Sequence, residues 1–193
     1  MIEKFHKKRK NKIEKRTTES TRKDGTKPSL TEDILNLVLK IFIIVALFWS
    51  LFVFVFGLHQ VEETGMSPSI KPEDIIMYYR LEKDYDLLDP VVLKVKYTVQ
   101  VRRVVAKDGD TVDITAKGLV VNGALQTGLE KDFINGDTLP YKQGITFPIT
   151  IKKGEVFLLG DNRQQAQDSR IYGPVKIKDT MGKLMWDLRR RNL

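Results

Sequence analysis

Residues 160–173 read GDNRQQAQDSRIYG, a polar stretch that directly follows the apolar run EVFLL at residues 155–159. The apolar run predicts a strand, and Gly-Asp-Asn after it is typical of an Asx turn that closes one. Taken alone, Asp168 and Arg170 are typical of an ordinary surface ion pair. The stretch therefore predicts a strand followed by a turn, and its functional meaning depends on the segments around it.

Several other short runs rich in β-branched and aromatic residues are separated by Gly, Pro and Asp, which is typical of strands joined by turns. The predicted strands are residues 73–80, 91–95, 99–105, 111–115 and 155–159. Asn122-Gly123 lies between residues 119–121 and 124–126 and favours a type I′ hairpin turn, because both turn positions need positive φ. Residues 129–143 are polar and predict a loop or insertion. We expect a mostly β domain.

An uncharged apolar run occupies residues 41–58, IFIIVALFWSLFVFVFGL, and extends across Lys40 to residue 34. This length predicts one transmembrane helix over residues 34–58, since a buried core helix or a cleaved signal core is usually shorter. The basic residues precede it, so the positive-inside rule predicts a cytoplasmic tail at residues 1–33. Residues 59–193 then form an extracellular domain, and the protein is a single-pass protein of the cell membrane.

The composition restricts the function classes. The chain has 33 Lys+Arg and 25 Asp+Glu, a formal net charge of +8, with much of the basic charge in the polar N-terminal tail. We expect no nucleic-acid partner, because no aromatic residues or groove-reading motif accompany this charge. The chain has no cysteine. The outer domain must therefore be held together by its core, without disulfides.

The residue inventory also excludes several chemistries. The only histidines are His6 in the tail and His59 at the end of the apolar run. A Ser-His-Asp or Cys-His site would need an imidazole or a thiol in the outer domain, and a His/Cys metal site fails for the same reason. No Walker-type phosphate loop is present. Carboxylate-only metal sites stay open on this inventory, but we expect no metal and no cofactor.

Four segments in a fixed order resemble the motifs of type I signal peptidases, the membrane-anchored serine proteases of family S26 that use a Ser/Lys dyad. Gly65-Met66-Ser67-Pro68 resembles the family's nucleophile box Ser-Met-x-Pro. Leu88-Asp89-Pro90-Val91-Val92 resembles Gly-Asp-x-Val-Val, and residues 102–110, RRVVAKDGD, resemble Lys-Arg-Val-x-Gly-x-Pro-Gly-Asp. Residues 160–173 resemble Gly-Asp-Asn-Arg, then Ser-x-Asp-Ser-Arg, then Gly. The resemblance covers about residues 61–186 and implies a signal-peptidase/LexA-like β domain.

Three positions depart from the family pattern at its catalytic groups. Gly65 stands where the family has its nucleophilic serine, Arg102 where it has the general-base lysine, and Ala166 where it has a serine that supports the lysine. The remaining motif residues are expected to keep binding or structural roles: Met66, Pro68, Arg103, Gly160, Asp161, Asn162, Arg163, Asp168, Ser169 and Arg170.

The substitutions predict loss of catalysis. Gly65 offers no oxygen, and the guanidinium of Arg102 stays protonated in proteins, so it cannot act as a base. A substitute nucleophile is not expected. In an extended chain Ser67 would lie about 6.6 Å from Gly65, and Thr64 would point to the opposite face. We also hypothesise that Asp168 or Asp161 pairs with Arg102.

The resemblance implies a non-catalytic signal-peptidase-like protein, or pseudoenzyme. Its expected partners are the membrane and exported or surface proteins, such as pilin subunits or signal peptides. Degenerate proteins of this kind accompany pilus assembly in Gram-positive bacteria, which favours a chaperone or accessory role. The alternative is an active signal peptidase I that cleaves exported preproteins, and a third possibility is a purely structural membrane protein.

Overall fold

A computed structural model describes residues 30–126 and 133–188. The basic N-terminal tail therefore lies outside the described residues, apart from its last few positions, as do Arg189-Arg190-Arg191 and the start of the predicted 129–143 loop. The chain divides into two compact units, residues 1–49 and residues 50–193. The second unit contains every strand in the described part of the chain.

Helix α1, Leu30–Val55, is the apolar helix that the sequence predicts. Its 26 residues correspond to a length of about 39 Å, which exceeds the roughly 30 Å hydrocarbon core of a bilayer. None of its residues is buried, and an 18-residue window has a mean hydropathy of 2.7. Glu32 and Asp33 lie in its first turn, where negative charge complements the helix dipole. The helix is compatible with a single-pass membrane anchor.

The predicted span of residues 34–58 is too long at its C-terminal end. Helix α1 ends at Val55, and strand β1 occupies Phe56–Gln60. Strand β1 pairs antiparallel with β2, with Phe56 opposite Tyr79 and Gln60 opposite Ile75. Helix α1 and strand β1 belong to one continuous apolar run. Because apolar composition alone does not distinguish a helix from a strand, the sequence does not indicate the boundary between them.

The remaining elements follow in chain order. They are β2 Ile75–Tyr79, β3 Pro90–Val95, β4 Thr98–Ala106, β5 Thr111–Thr115, β6 Gly118–Val121, β7 Ala124–Leu125, β8 Ile149–Thr150, β9 Glu155–Leu159, α2 Ser169–Tyr172, β10 Val175–Lys176, a 3₁₀ turn Ile177–Asp179, and β11 Thr180–Leu188. The domain is mostly β, as predicted. The bounds of β5 and β9 agree with the prediction, and β2 to β4 differ by one or two residues at their ends.

The strands form two antiparallel sheets. The larger has the order β1-β2-β11-β3-β4-β9-β10, and the smaller has the order β7-β6-β5-β8. The predicted hairpin is confirmed by the pairing of Val121 with Ala124, and by positive φ at Asn122 and Gly123. Strand β11 lies between β2 and β3 and so joins distant parts of the chain.

Three apolar clusters hold the domain together. One joins the smaller sheet to β9 through residues such as Val112, Ile151 and Phe157. A second contains Met66 and Val101, and a third contains Val91 of β3, Val104 of β4 and Leu158 of β9. Strand β4 lies between β3 and β9, and its residues from Gln100 to Ala106 are buried. This central strand carries two consecutive buried arginines, which organise the candidate site.

Candidate functional site

The segment that carries Gly65 is a turn. The Ser67 amide donates to the Thr64 carbonyl at 3.0 Å, and the Ile70 amide donates to the Met66 carbonyl at 2.9 Å. Met66 is 1% exposed and packs in an apolar cluster, whereas Pro68 is exposed and follows a cis peptide bond. The extended chain that the sequence analysis predicts at these residues is wrong, so the strand spacing between Gly65 and Ser67 does not apply.

Gly65 is fixed against the 160–173 segment. Its carbonyl accepts a hydrogen bond from the Asn162 amide at 3.0 Å. A Cβ atom added at Gly160 would lie 2.5 Å from the Gly65 carbonyl oxygen and 2.2 Å from the Ala166 Cβ. Ala166 is fully buried, and its amide donates to the Asn162 carbonyl. Glycine at 160 therefore permits a close approach that brings the Gly65 and Ala166 positions together, as the family pattern implied.

Arg102 completes the cluster from β4. Its side chain is fully buried, and its guanidinium forms a two-pronged ion pair with Glu63. The Nη2 atom lies 2.8 Å from Oε2 of Glu63, while Nη1 contacts Oε1. The Nε atom donates to the Gln167 carbonyl at 2.9 Å, next to Ala166. All three nitrogens of this guanidinium are therefore bonded within the site.

The ion pair lies in the space beside Gly65. A Cβ atom added at Gly65 would be 2.6 Å from Oε2 of Glu63 and 2.9 Å from each terminal nitrogen of Arg102. Contacts this short do not occur in folded proteins, so the pair and a side chain at position 65 compete for the same volume. The ion pair can therefore occupy this space because residue 65 has no side chain.

The electrostatics keep Arg102 charged. Burial alone would lower its pKa, but the hydrogen bonds and negative charge of Glu63 outweigh burial, and the pKa is raised above its ordinary value. The charge of Asp168 acts in the same direction with a smaller effect. A guanidinium in these surroundings does not release its proton near neutral pH, and it cannot accept one from a nucleophile.

The predicted partner of Arg102 was wrong. Asp161 pairs instead with Arg103, whose Nε and Nη2 lie 2.8 and 2.6 Å from its two carboxylate oxygens. Asp168 pairs with Arg170 at 2.8 Å. Adjacent residues on a strand point to opposite faces, so the two arginines reach different groups of the 160–173 segment: Arg102 bonds the Gln167 carbonyl and Arg103 bonds Asp161. Glu63 could not be identified from the sequence, because its contact with Arg102 depends on the path of the turn before Gly65.

The other predicted site residues form a buried polar network. Asp168 accepts hydrogen bonds from the Gly160 amide at 3.1 Å and from the Arg170 amide, which caps the short helix α2. The Ser169 hydroxyl accepts from the Leu158 amide at 3.0 Å, and Arg163 donates to the Thr138 hydroxyl at 2.7 Å. The contacts of Asp168 and Ser169 hold the end of β9 against the loop that follows it, and they thereby position this loop.

Aromatic rings cover two of the arginines. The Arg103 guanidinium lies 4.2 Å from the centre of the Phe133 ring, and that of Arg170 lies 4.5 Å from the Tyr141 ring. The Tyr141 hydroxyl donates to the Ala166 carbonyl at 2.8 Å. Part of the predicted 129–143 loop is thus packed over the site, which its polar composition did not indicate.

Tyr172 is a partly buried neighbour of Arg102 that the sequence did not single out. Its hydroxyl oxygen is itself buried. Burial raises its pKa well above the ordinary value of 10.0, although the charge of Arg102 acts in the opposite direction. The phenol is therefore neutral and is no candidate for a base at physiological pH.

The Thr64 hydroxyl, next to Gly65 in sequence, is not placed beside a base. Thr64 is exposed and donates to the side-chain oxygen of Gln165 at 3.0 Å, and an amide oxygen is not a useful proton acceptor. Among the described residues, no group of three or more His, Asp or Glu side chains could hold a metal ion. The described residues present no nucleophile and base pair at Gly65 and Arg102.

Comparisons with known proteins agree with the motifs. The chain matches the family described as signal peptidase, peptidase S26, over residues 34–188. It is 28% identical over 161 residues to signal peptidase I of Bacillus caldolyticus, covering 74% of this chain and 85% of the relative. It is 29% identical over 140 residues to thylakoidal processing peptidase 1 of Arabidopsis thaliana, covering 64% of this chain and 39% of the relative.

The chain thus spans about two fifths of that chloroplast relative. A crystal structure of signal peptidase I from Enterococcus faecalis is similar with a TM-score of 0.42 and 23% identity, covering 53% of this chain and 97% of that one. The family match extends from the membrane helix through strand β11 and so includes Gly65, Arg102 and Ala166. This chain belongs to the signal peptidase family, peptidase S26.

Proposed function

We propose that this protein is a non-hydrolysing member of the signal peptidase family that binds exported proteins at the membrane. The observation that supports the proposal most directly is the Arg102–Glu63 ion pair, which fills the space where a side chain at Gly65 would lie. The proposed ligands are exported or surface proteins, such as pilin subunits or signal peptides, and the proposed role is that of a chaperone or assembly accessory.

The chemical argument concerns two groups. Amide hydrolysis by a dyad needs an oxygen nucleophile and a base that is neutral at working pH, held within about 3 Å of each other. Gly65 has no side-chain oxygen, and the pKa of Arg102 is raised by its pairing with Glu63. Because members of a nucleophile and base pair act as a unit, loss of one costs about as much as loss of both.

Binding does not depend on either group. An extended segment adds to a sheet through main-chain hydrogen bonds, and shallow pockets beside the sheet select its side chains. Strands β1 and β10 are the outermost strands of the larger sheet in the described part of the chain. The proposed orientation has residues 1–33 in the cytoplasm and the β domain outside the cell, where exported chains emerge.

The alternative function is that of an active signal peptidase, which similarity to signal peptidase I of two Bacillus species favours. This function would require a nucleophile at a position other than Gly65. The hydroxyl residues nearest to Gly65 in sequence are Thr64 and Ser67. Thr64 is bonded to Gln165, and the Arg102 guanidinium cannot serve as its base. The geometry therefore favours the non-hydrolysing function.

A cleavage assay separates the two functions. The full chain in detergent is incubated with a purified preprotein that carries a signal peptide, and we expect no cleavage product. The variants Thr64→Ala and Ser67→Ala serve as controls. Turnover by the unmodified protein that disappears in either variant would show that the protein is an enzyme and that the proposal is wrong.

A cross-linking experiment tests binding. A photoreactive phenylalanine at the exposed position of Thr64 should capture the purified preprotein or an exported pilin subunit, and an excess of signal peptide should compete. Tyr97, which is 95% exposed in the turn between β3 and β4, provides a matched control position. Equal capture at both positions, or none at Thr64, would contradict binding beside Gly65.

A further inference from the structure

The two side chains of the Arg102–Glu63 ion pair differ in solvent exposure, and this difference indicates a ligand site. The Arg102 side chain is 0% exposed and is held by a central strand, whereas the Glu63 side chain is 21% exposed and belongs to the turn segment before Gly65. The guanidinium is therefore a fixed, buried group, and the carboxylate reaches it from the solvent side.

We propose that Arg102 is a receptor for the C-terminal carboxylate of a peptide, and that Glu63 occupies this receptor as an internal carboxylate until such a peptide displaces it. The inference rests on the proposed function, since it names the ligand class of the same site. The ligand is recognised by the free carboxylate at its C-terminus.

The shape of the site fits a carboxylate. Both terminal nitrogens of Arg102 donate to Glu63, and this fork geometry matches a carboxylate through two parallel hydrogen bonds. The third nitrogen, Nε, is held by the Gln167 carbonyl and fixes the plane of the group. A carboxylate that replaced Glu63 would meet the same two donors without movement of Arg102.

Charge makes the exchange selective. A buried guanidinium left without its anion is strongly destabilising, so Glu63 leaves only when another anion takes its place. A free C-terminal carboxylate supplies that anion, whereas a C-terminal amide or an uncharged interior segment does not. The Glu63 carboxylate is therefore displaced by a peptide with a free C-terminal carboxylate and not by an uncharged segment.

The missing side chain at Gly65 provides the space. The Oε2 atom of Glu63 lies 2.6 Å from the place of a Cβ at position 65, so the bound carboxylate rests directly against the Gly65 backbone. Hydrolysis of an amide bond creates a new carboxylate at the end of the released segment. The protein would thus receive a product made by a separate peptide hydrolase, which precedes it in the reaction sequence.

The test compares two forms of one peptide on the full chain in detergent. A fluorescent ten-residue apolar peptide is prepared as the free acid and as the C-terminal amide, and binding is followed by anisotropy. We expect the acid to bind the unmodified protein at least ten-fold more tightly than the amide. Equal affinities would overturn the proposal.

Two matched variants sharpen the result. Glu63→Gln removes the internal competitor and should tighten binding of the acid about ten-fold further, with little change for the amide. Glu62→Gln alters the net charge equally at an exposed neighbouring position and should change neither affinity. If both variants act alike, the effect is one of net charge and the proposal fails. Should Glu63→Gln fail to fold, the comparison of acid and amide on the unmodified protein still decides.

The outcomes separate this inference from the proposed function. Tight and equal binding of acid and amide would leave the binding function standing and refute the carboxylate receptor. Preference for the acid together with cleavage of a preprotein would refute the non-hydrolysing function and retain the receptor. Absence of binding by both peptides would overturn the receptor.

Discussion

Replacing Gly65 with serine restores the oxygen that the family pattern has at this position, and it tests the site directly. The new Cβ atom would lie 2.6 Å from Oε2 of Glu63 and 2.9 Å from both terminal nitrogens of Arg102. The backbone cannot easily retreat, because the Gly65 carbonyl is bonded to Asn162 and packed against Gly160. One partner of the ion pair must therefore shift, and Glu63, which is partly exposed, is the one with room to move.

The expected cost follows from two known ranges. Overpacking a dense interior costs about 1–3 kcal/mol. Breaking a buried ion pair by removing one partner costs about 3–5 kcal/mol, but here both partners remain and the Glu63 side chain is 21% exposed. We expect Gly65→Ser to lower the free energy of unfolding by about 2 kcal/mol. For a domain of this size that corresponds to a fall in Tm of roughly 6 °C.

Two measurements follow the variant in detergent. Near-ultraviolet circular dichroism gives the Tm of the domain, and a preprotein cleavage assay gives its activity, which should stay absent because Arg102 remains protonated. Gly65→Ala is the matched control and should show a similar loss of stability, since the clash involves Cβ. In an Arg102→Lys background, which removes the two terminal guanidinium nitrogens, the cost of Gly65→Ser should fall by about 1 kcal/mol.

Two results would refute this reasoning. An unchanged Tm in Gly65→Ser would mean that the ion pair is not packed against Gly65. Recovered cleavage in the same single variant would mean that a permanently charged guanidinium is compatible with the chemistry, and the argument about the base would be wrong.

Three further predictions concern the surrounding network. Asp161→Asn should lower the free energy of unfolding by about 3 kcal/mol, because it leaves the buried Arg103 charge without its anion, and the exposed Asp108→Asn should be nearly neutral in the same urea titration. Gly160→Ala should cost at least about 2 kcal/mol, because its Cβ would lie 2.2 Å from that of Ala166, and an unchanged urea midpoint would contradict this contact. Burial raises the pKa of Tyr172, so the folded state favours the neutral phenol, and stability should decline as pH rises above the ordinary value of 10.0. Urea midpoints measured from about pH 9 to 11 should fall less steeply in Tyr172→Phe than in the unmodified protein.

Much of the β domain could be predicted from local patterns. The bounds of β5 and β9 follow from alternating or continuous apolar runs between turn residues, and Asn122-Gly123 identifies its hairpin. Strand β1 could not be recognised, because its residues continue the apolar run of helix α1. Strands β8 and β10 have two residues each and are too short to carry a periodic signal.

The candidate site could be predicted from the sequence only in part. The motifs identified Gly65, Arg102 and Ala166, and the structure brings their segments together through Asn162, Gly160 and Gln167. The partner of Arg102 depended on the path of the turn before Gly65, which no local pattern specified. An acidic residue two positions before Gly65 was the available signal. Its significance becomes visible only with the backbone geometry.

The absence of a side-chain oxygen at Gly65 affects how such a protein would be detected. Reagents that label serine proteases bond covalently to the oxygen of the nucleophile, and this position offers them no such atom. A survey of membrane proteins by acylating or phosphonylating reagents would overlook this chain at that position, however abundant it is. Counts of signal-peptidase relatives obtained by reactive labelling are therefore lower limits, and antibodies or affinity tags are needed to include proteins of this type.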